Sequence, residues 1–274
     1  MACDFTVYEV GPRDGLQSLS HVIPVENRVE LIHMLAAAGL KNIEAGSFVN
    51  PERVPTMADT DEVLLRCAKV DAQLAALVPN ARGMRDARAV GVERFNVFFS
   101  ADEEFNLLNL GKTREQAVED FAVMLFGVPK EHVRVYVSLA FSSPLDEVAD
   151  AVADAETLGG TVVLCDTEGR ASPDSVRQVV GLSGGRTALH LHHGREGWRM
   201  FENIAVAYDS GIREFDASIG GLGGCPFVLG SRGNLDTSEL VAWGIREGLD
   251  CGIELEALEP ARLLAMDLRK EVLT

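Results

Sequence analysis

Eight times in succession, a short apolar run passes into turn residues and then into an amphipathic stretch. That repetition constrains the fold more than any other feature of the chain. The candidate strands are 5–10, 42–47, 73–79, 94–100, 133–140, 161–166, 187–193 and 214–219. Each is short, rich in Val, Ile, Phe or Ala, and bounded by turn residues. The helical stretches between them cover 25–39, 60–70, 81–91, 114–127, 145–159, 173–183, 197–210 and 236–248. "VENRVELIHMLAAAG" places apolar residues at helical spacing before a glycine stop, and "SPLDEVADAVADAETLGG" runs from a Ser-Pro start to a Gly-Gly end. Eight such units in about 250 residues fit a single (β/α)8 TIM barrel. A tail helix at about 254–268 is expected to close it. The alternative, a doubly wound sheet, uses fewer units and carries an early glycine-rich nucleotide turn, which this chain lacks. No linker or low-complexity run divides residues 1–274, which read as one catalytic domain.

Composition narrows the partners. A formal charge of −17 opposes binding to nucleic acid and to anionic membrane surfaces. An anionic substrate would therefore need arginines at the site itself. No run approaches bilayer-spanning length, and the N-terminus lacks a basic region followed by an apolar one. Cysteines at 3, 67, 165, 225 and 251 show neither CxxC nor zinc spacing. Their odd number points to a reduced, cytoplasmic chain.

In a barrel the active site forms at the C-terminal ends of the strands, and the unusual polar residues cluster there. Strand 1 ends in "EVGPRDGLQ", with Arg13 and Asp14 flanked by Gly11, Pro12 and Gly15. An isolated "PRDG" is as well read as a surface turn with a solvated salt bridge, but its position favours function. Glu44 lies inside an apolar strand, where it needs a metal or a structural arginine as partner. Asp166 is placed similarly at the end of strand 6.

"RTALHLHHGREG" puts His190 and His192 at i and i+2, on one face of strand 7, where two imidazoles can share one cation. His193 points the other way. After strand 8, "DASIGGLGGCPFVLGSRGN" carries Cys225 on a glycine-rich loop, either as a small buried residue or as a proton donor. Asn234 follows nine residues later and can offer an amide oxygen. One carboxylate, two imidazoles and one amide oxygen make a mixed nitrogen and oxygen set suited to Mg2+ or Mn2+. Arg195 and Arg199 beyond strand 7, and Arg82, Arg85 and Arg88 beyond strand 3, are further anion-binding candidates or simply solvated faces.

"VGPRDGLQ", "IEAGSFVNPERVPTM", "HLH" and "GGLGGCPF", with the "GN" that follows, resemble the 3-hydroxy-3-methylglutaryl-CoA lyase family. The resemblance covers most of residues 5–255. It implies a metal-dependent carbon–carbon lyase that acts on a hydroxyacyl thioester and releases an acyl-CoA and a keto acid. It implies that Asp14, His190, His192 and Asn234 hold the divalent cation. Arg13 would steady the enolate, Cys225 would exchange protons, and Glu44 and Asp166 would complete the catalytic polar shell. Gln17, Ser47, Arg134 and Asn109 would lie near the substrate, and the protein would form a homodimer. The alternatives are a condensing enzyme or an aldolase of the same superfamily, and a non-catalytic homologue. Three stretches depart from the family pattern. "HGREGW" stands after the paired histidines, "FSSPLDE" after strand 5, and "NLLNLGK" keeps Asn109 but has Gly111 where a second asparagine is usual. The metal centre is retained while the rim is altered, which implies the same bond chemistry on a different substrate.

Overall fold

The computed structural model describes residues 3–194, 199–223 and 233–270. Eight parallel strands close into a barrel in chain order: β1 Thr6–Glu9, β2 Asn42–Ser47, β3 Gln73–Leu77, β4 Arg94–Ser100, β5 Val133–Ser138, β6 Thr161–Asp166, β7 Arg186–Leu191 and β8 Glu214–Ala217. Their apolar composition follows from burial on both faces, since the outer faces are covered by helices. Every residue of β6 is buried. The closing pair sets Tyr8 opposite Asp216 and Glu9 opposite Ala217.

The helices are α1 Val25–Ala37, α2 Thr60–Arg66, α3 Ala81–Ala89, α4 Glu103–Leu110, α5 Arg114–Met124, α6 Leu145–Leu158, α7 Pro173–Val180, α8 Arg199–Asp209, α9 Thr237–Glu247 and α10 Glu259–Leu268. All eight expected strands and the tail helix are present, several of them shorter than the sequence pattern. One helix escapes that pattern. Asp102 accepts from the Phe105 amide at 2.7 Å to start α4, and Gly111 ends it at φ 68°. The "NLLNLGK" stretch is therefore mostly helix rather than loop.

Two features position the site. In β2 the register against β3 shifts between Glu44 and Gly46. A side chain at Gly46 would meet Thr60 of α2 at 2.7 Å, so only glycine lets the helix start so close to the strand. On the far side, residues 233–236 return beside the ends of β7 and β8. Leu235 donates its amide to Leu191 O at 3.1 Å and accepts from the Ser218 amide at 2.9 Å, while the His193 amide bonds Gly233 O at 3.0 Å. This return segment brings Asn234 alongside His192. No helix among the described residues is long and apolar enough to cross a membrane.

Candidate active site

Gly11–Gly15 forms a single wide turn after β1. The Val10 carbonyl accepts from the amides of Arg13, Asp14 and Gly15 at 3.1, 2.7 and 3.3 Å. The turn drives Arg13 into the barrel mouth, where Nε donates to Glu44 Oε2 and Nη1 to Asp14 Oδ1, both at 2.6 Å. Burial works against the guanidinium charge, but Glu44 and Asp14 outweigh it and hold the pKa above the usual arginine value. Glu44 Oε1 in turn accepts from Asn96 Nδ2 at 2.7 Å, and Asn96 meets the Tyr8 hydroxyl. Burial also opposes the Asp14 charge, yet Arg13, His190 and His192 pull its pKa down to about 2.

Ligand atoms of Asp14, His190 and His192 lie within 4.8 Å of one another. His190 Nδ1 is 3.1 Å from Asp216 Oδ2, and His192 Nδ1 is 3.0 Å from the Thr167 carbonyl oxygen. Both partners are acceptors, so each Nδ1 carries a proton. The two Nε2 atoms then face each other at 3.2 Å. Two lone pairs at that separation repel unless a proton or a cation lies between them. Of the two rings, His190 holds a proton more readily than His192. Burial alone would lower the His190 pKa, but the hydrogen bond and charge of Asp216 raise it. Burial and the neighbouring His190 push His192 down to about 4.

Asn234 supplies a second mark of a cation site. Its Nδ2 donates to Asp14 Oδ2 at 2.8 Å and to Leu222 O at 2.9 Å, while its buried Oδ1 has no hydrogen-bond partner among the described residues. A buried acceptor left in that state costs about 1–3 kcal/mol. The backbone here is fitted to that amide. Gly223 sits at φ 111°, and a side chain there would come within 2.3 Å of Asn234 Nδ2. One carboxylate, two facing imidazole Nε2 atoms and one unpaired amide oxygen fit a divalent cation.

A cavity of 180 Å³ opens beside this cluster. Arg13, Asp14, Gln17, Asn109, His190 and His192 line it, together with Phe98, Tyr136 and Cys165. Three expected residues lie elsewhere. Arg134 is buried beneath the cavity between Glu214 and Asp216, stacked 3.7 Å from the Tyr8 ring centroid, and does not reach the substrate space. The Ser47 hydroxyl donates to the Leu77 carbonyl, and its backbone amide donates to Thr60 Oγ1. Asp166 accepts from the amides of Arg170 and Ala171 at 2.7 and 3.0 Å, so it shapes the loop after β6. His193 does point away from the cluster, toward Glu239 at 3.5 Å. Cys225 and Arg195 lie outside the described residues. Among the basic residues beyond β3, Arg82 lies 3.9 Å from Asp86 and Arg88 lies over Phe95. Sequence reasoning missed Asp216 and Tyr136; a lone Asp or Tyr in an apolar strand gives no local sign of which layer it joins.

The HMGL-like family model matches residues 4–264. The chain belongs to the HMGL-like family. It is 37% identical to hydroxymethylglutaryl-CoA lyase of Pseudomonas mevalonii, across 92% of this chain and 88% of that protein. It is 35% identical to (R)-citramalyl-CoA lyase of Chloroflexus aurantiacus, across 92% and 87%. The crystal structure of the HMG-CoA lyase from Brucella melitensis superposes with a TM-score of 0.90 at 34% identity, covering 98% of this chain and 99% of that one. These HMGL-like relatives are named as CoA lyases, the class that the sequence motifs implied.

Proposed function

We propose that this chain is a divalent-cation-dependent lyase that cleaves the bond between the α and β carbons of a 3-hydroxy-3-methylglutaryl-CoA-like thioester. The observation that carries this reading is the convergence of Asp14, His190 and His192 within 4.8 Å at the mouth that Arg13 also enters. Asp14, His190, His192 and Asn234 would hold the cation, with Mg2+ or Mn2+ as the ion this mixed donor set suits. A bound divalent cation supplies electrophilic attraction for the substrate's hydroxyl and carboxylate oxygens.

The bond chemistry balances as a retro-aldol cleavage. The hydroxyl gives its proton to solvent, its carbon becomes a ketone, and the electron pair of the broken Cα–Cβ bond passes to the thioester as an enolate. Arg13 lines the cavity with its charge fixed by Glu44 and Asp14, so it meets the developing enolate oxygen without reorganising. Cys225, the cysteine of the "GGLGGCPF" stretch, would deliver a proton to the enolate carbon, which completes the acyl-CoA. Gln17 and Asn109 line the entrance and orient the substrate's polar groups.

A citramalyl-CoA-like hydroxyacyl thioester is the second reading, favoured by the near-equal identity to the citramalyl-CoA lyase. Four described cysteines are free, in keeping with a reducing cytoplasmic setting, and the homodimer implied by the resemblance belongs to the same proposal. The test incubates the enzyme and Mn2+ with a panel of hydroxyacyl-CoA thioesters and identifies products by mass spectrometry. Acyl-CoA and keto acid, abolished by EDTA and restored by Mn2+, are expected. The reading fails if no panel member is cleaved, or if a metal-free preparation is fully active. Light scattering reads the oligomer.

A further inference from the structure

The two imidazoles of the cluster are supported differently, and the difference involves an arginine that does not line the cavity. His192 Nδ1 meets a backbone carbonyl, whose role as acceptor is fixed. His190 Nδ1 meets the Asp216 side chain, whose other oxygen is engaged by Arg134 Nη2. Arg134 is itself enclosed by Glu214, Asp216 and the Tyr8 ring, and it is buried with them. Asp216, on β8, thus links His190 of β7 to Arg134 of β5 through its two carboxylate oxygens, and the Tyr136 ring lies against both of those side chains.

We propose that Asp216 is the positioning residue that prepares His190 as a cation ligand, and that Arg134 acts by fixing Asp216 rather than by binding substrate. A carboxylate has only acceptors to offer, so Asp216 keeps the proton on His190 Nδ1 and leaves the Nε2 lone pair bare toward the cluster. Arg134 Nη2 needs an acceptor and occupies Oδ1, which leaves Oδ2 to His190. The inference rests on the cation reading of the site, so the tests probe binding of Mn2+ alone, by electron paramagnetic resonance.

Replacing Asp216 by Asn sets up a conflict. Arg134 still requires an acceptor, so the amide oxygen stays with it and the amide NH2 faces His190 Nδ1. The imidazole proton then moves to Nε2, the wrong tautomer for ligation, just as an Asn beside a catalytic histidine does in serine proteases. Asp216→Asn should weaken Mn2+ binding by about 10- to 100-fold. The double variant Asp216→Asn/Arg134→Met removes the demand for an acceptor and lets the amide turn its oxygen to His190. It should therefore bind Mn2+ more tightly than Asp216→Asn alone, whereas a merely structural role would make the double variant worse.

The inference is overturned if Asp216→Asn binds Mn2+ like the parent, or if the double variant is no better than the single one. Should the variants not fold, 15N NMR of the unmodified, Mg2+-loaded protein decides: protonated His190 Nδ1 is expected, and a bare Nδ1 overturns the inference. Absence of Mn2+ binding by the unmodified protein would instead sink the cation reading itself.

Discussion

Around Arg13 each charge meets an opposite one: Glu44 on one side, Asp14 on the other, with Asn96 and Tyr8 behind Glu44. Around His190, His192 and Asn234 the polar atoms converge on one another, two imidazole nitrogens 3.2 Å apart and an amide oxygen without a partner among the described residues. The first corner of the mouth is complete as the chain alone builds it; the second leaves donor atoms that a cation would satisfy. The difference separates two jobs. A group that stabilises charge in a transition state works best when already fixed, since it need not reorganise during the step. A cation site must hold its donors close together without letting them satisfy one another, at a cost in the stability of the metal-free protein.

The largest expected effect breaks the comparison at the arginine corner. Arg13→Met should lower kcat by about 10³-fold at saturating Mn2+, the scale for removing one preorganised oxyanion partner. Mn2+ affinity should change far less, because Asp14 keeps its bond from Asn234. If instead Mn2+ binding collapses together with kcat, the two corners are one unit and their separate roles are wrong.

The second prediction sharpens the other corner. Asn234→Leu removes the unpaired amide oxygen together with the donor to Asp14. It should weaken Mn2+ binding by about 10- to 100-fold, while the rate at saturating Mn2+ falls less than in Arg13→Met. Isothermal titration with Mn2+ beside steady-state kinetics separates the two. An unchanged affinity would remove Asn234 from the cation site.

How much of this was legible in the sequence follows from range. The βα rhythm is local, and all eight strands appear where apolar runs placed them. The paired histidines are also local, two residues apart on one face of β7, and they do share a cluster. Asp216 and Arg134 were not legible as partners, because they meet through barrel closure. Which side chains share an interior layer depends on strand tilt and stagger around eight strands, and no spacing within "VRVYVS" or "EFDA" encodes it. Arg134 accordingly looked like a substrate contact and is a buried partner of Asp216. The placement of Asn234 depends on the 233–236 return segment, which carries no strand signature of its own. Helix α4 was hidden because its start signal is a single Asp102 cap and its length is eight residues.

The last prediction concerns stability rather than turnover or cation binding, at the joint beneath both corners. Glu9 is fully buried, and it accepts from the amides of Gly11 and Ile219 at 2.7 and 3.0 Å and from the Thr237 hydroxyl at 2.6 Å. It thereby ties the turn that carries Arg13 to the β8 exit and to the start of α9. Burial raises its pKa from 4.5 to about 7, although the three donors pull it back. Between those values the folded protein holds a proton that the unfolded chain has released. The stability this contributes is full below the unfolded value and is lost as pH rises through about 7, amounting to about 3 kcal/mol. Glu9→Gln should flatten that loss. A Gln oxygen still accepts from both amides, and its NH2 can donate to Thr237 once the hydroxyl rotates. Urea unfolding of both proteins at about pH 5 and about pH 8 reads the difference. The parent should lose stability over this interval relative to the variant, and parallel behaviour would mean that Glu9 is ionised in the fold and joins the corners as a charge.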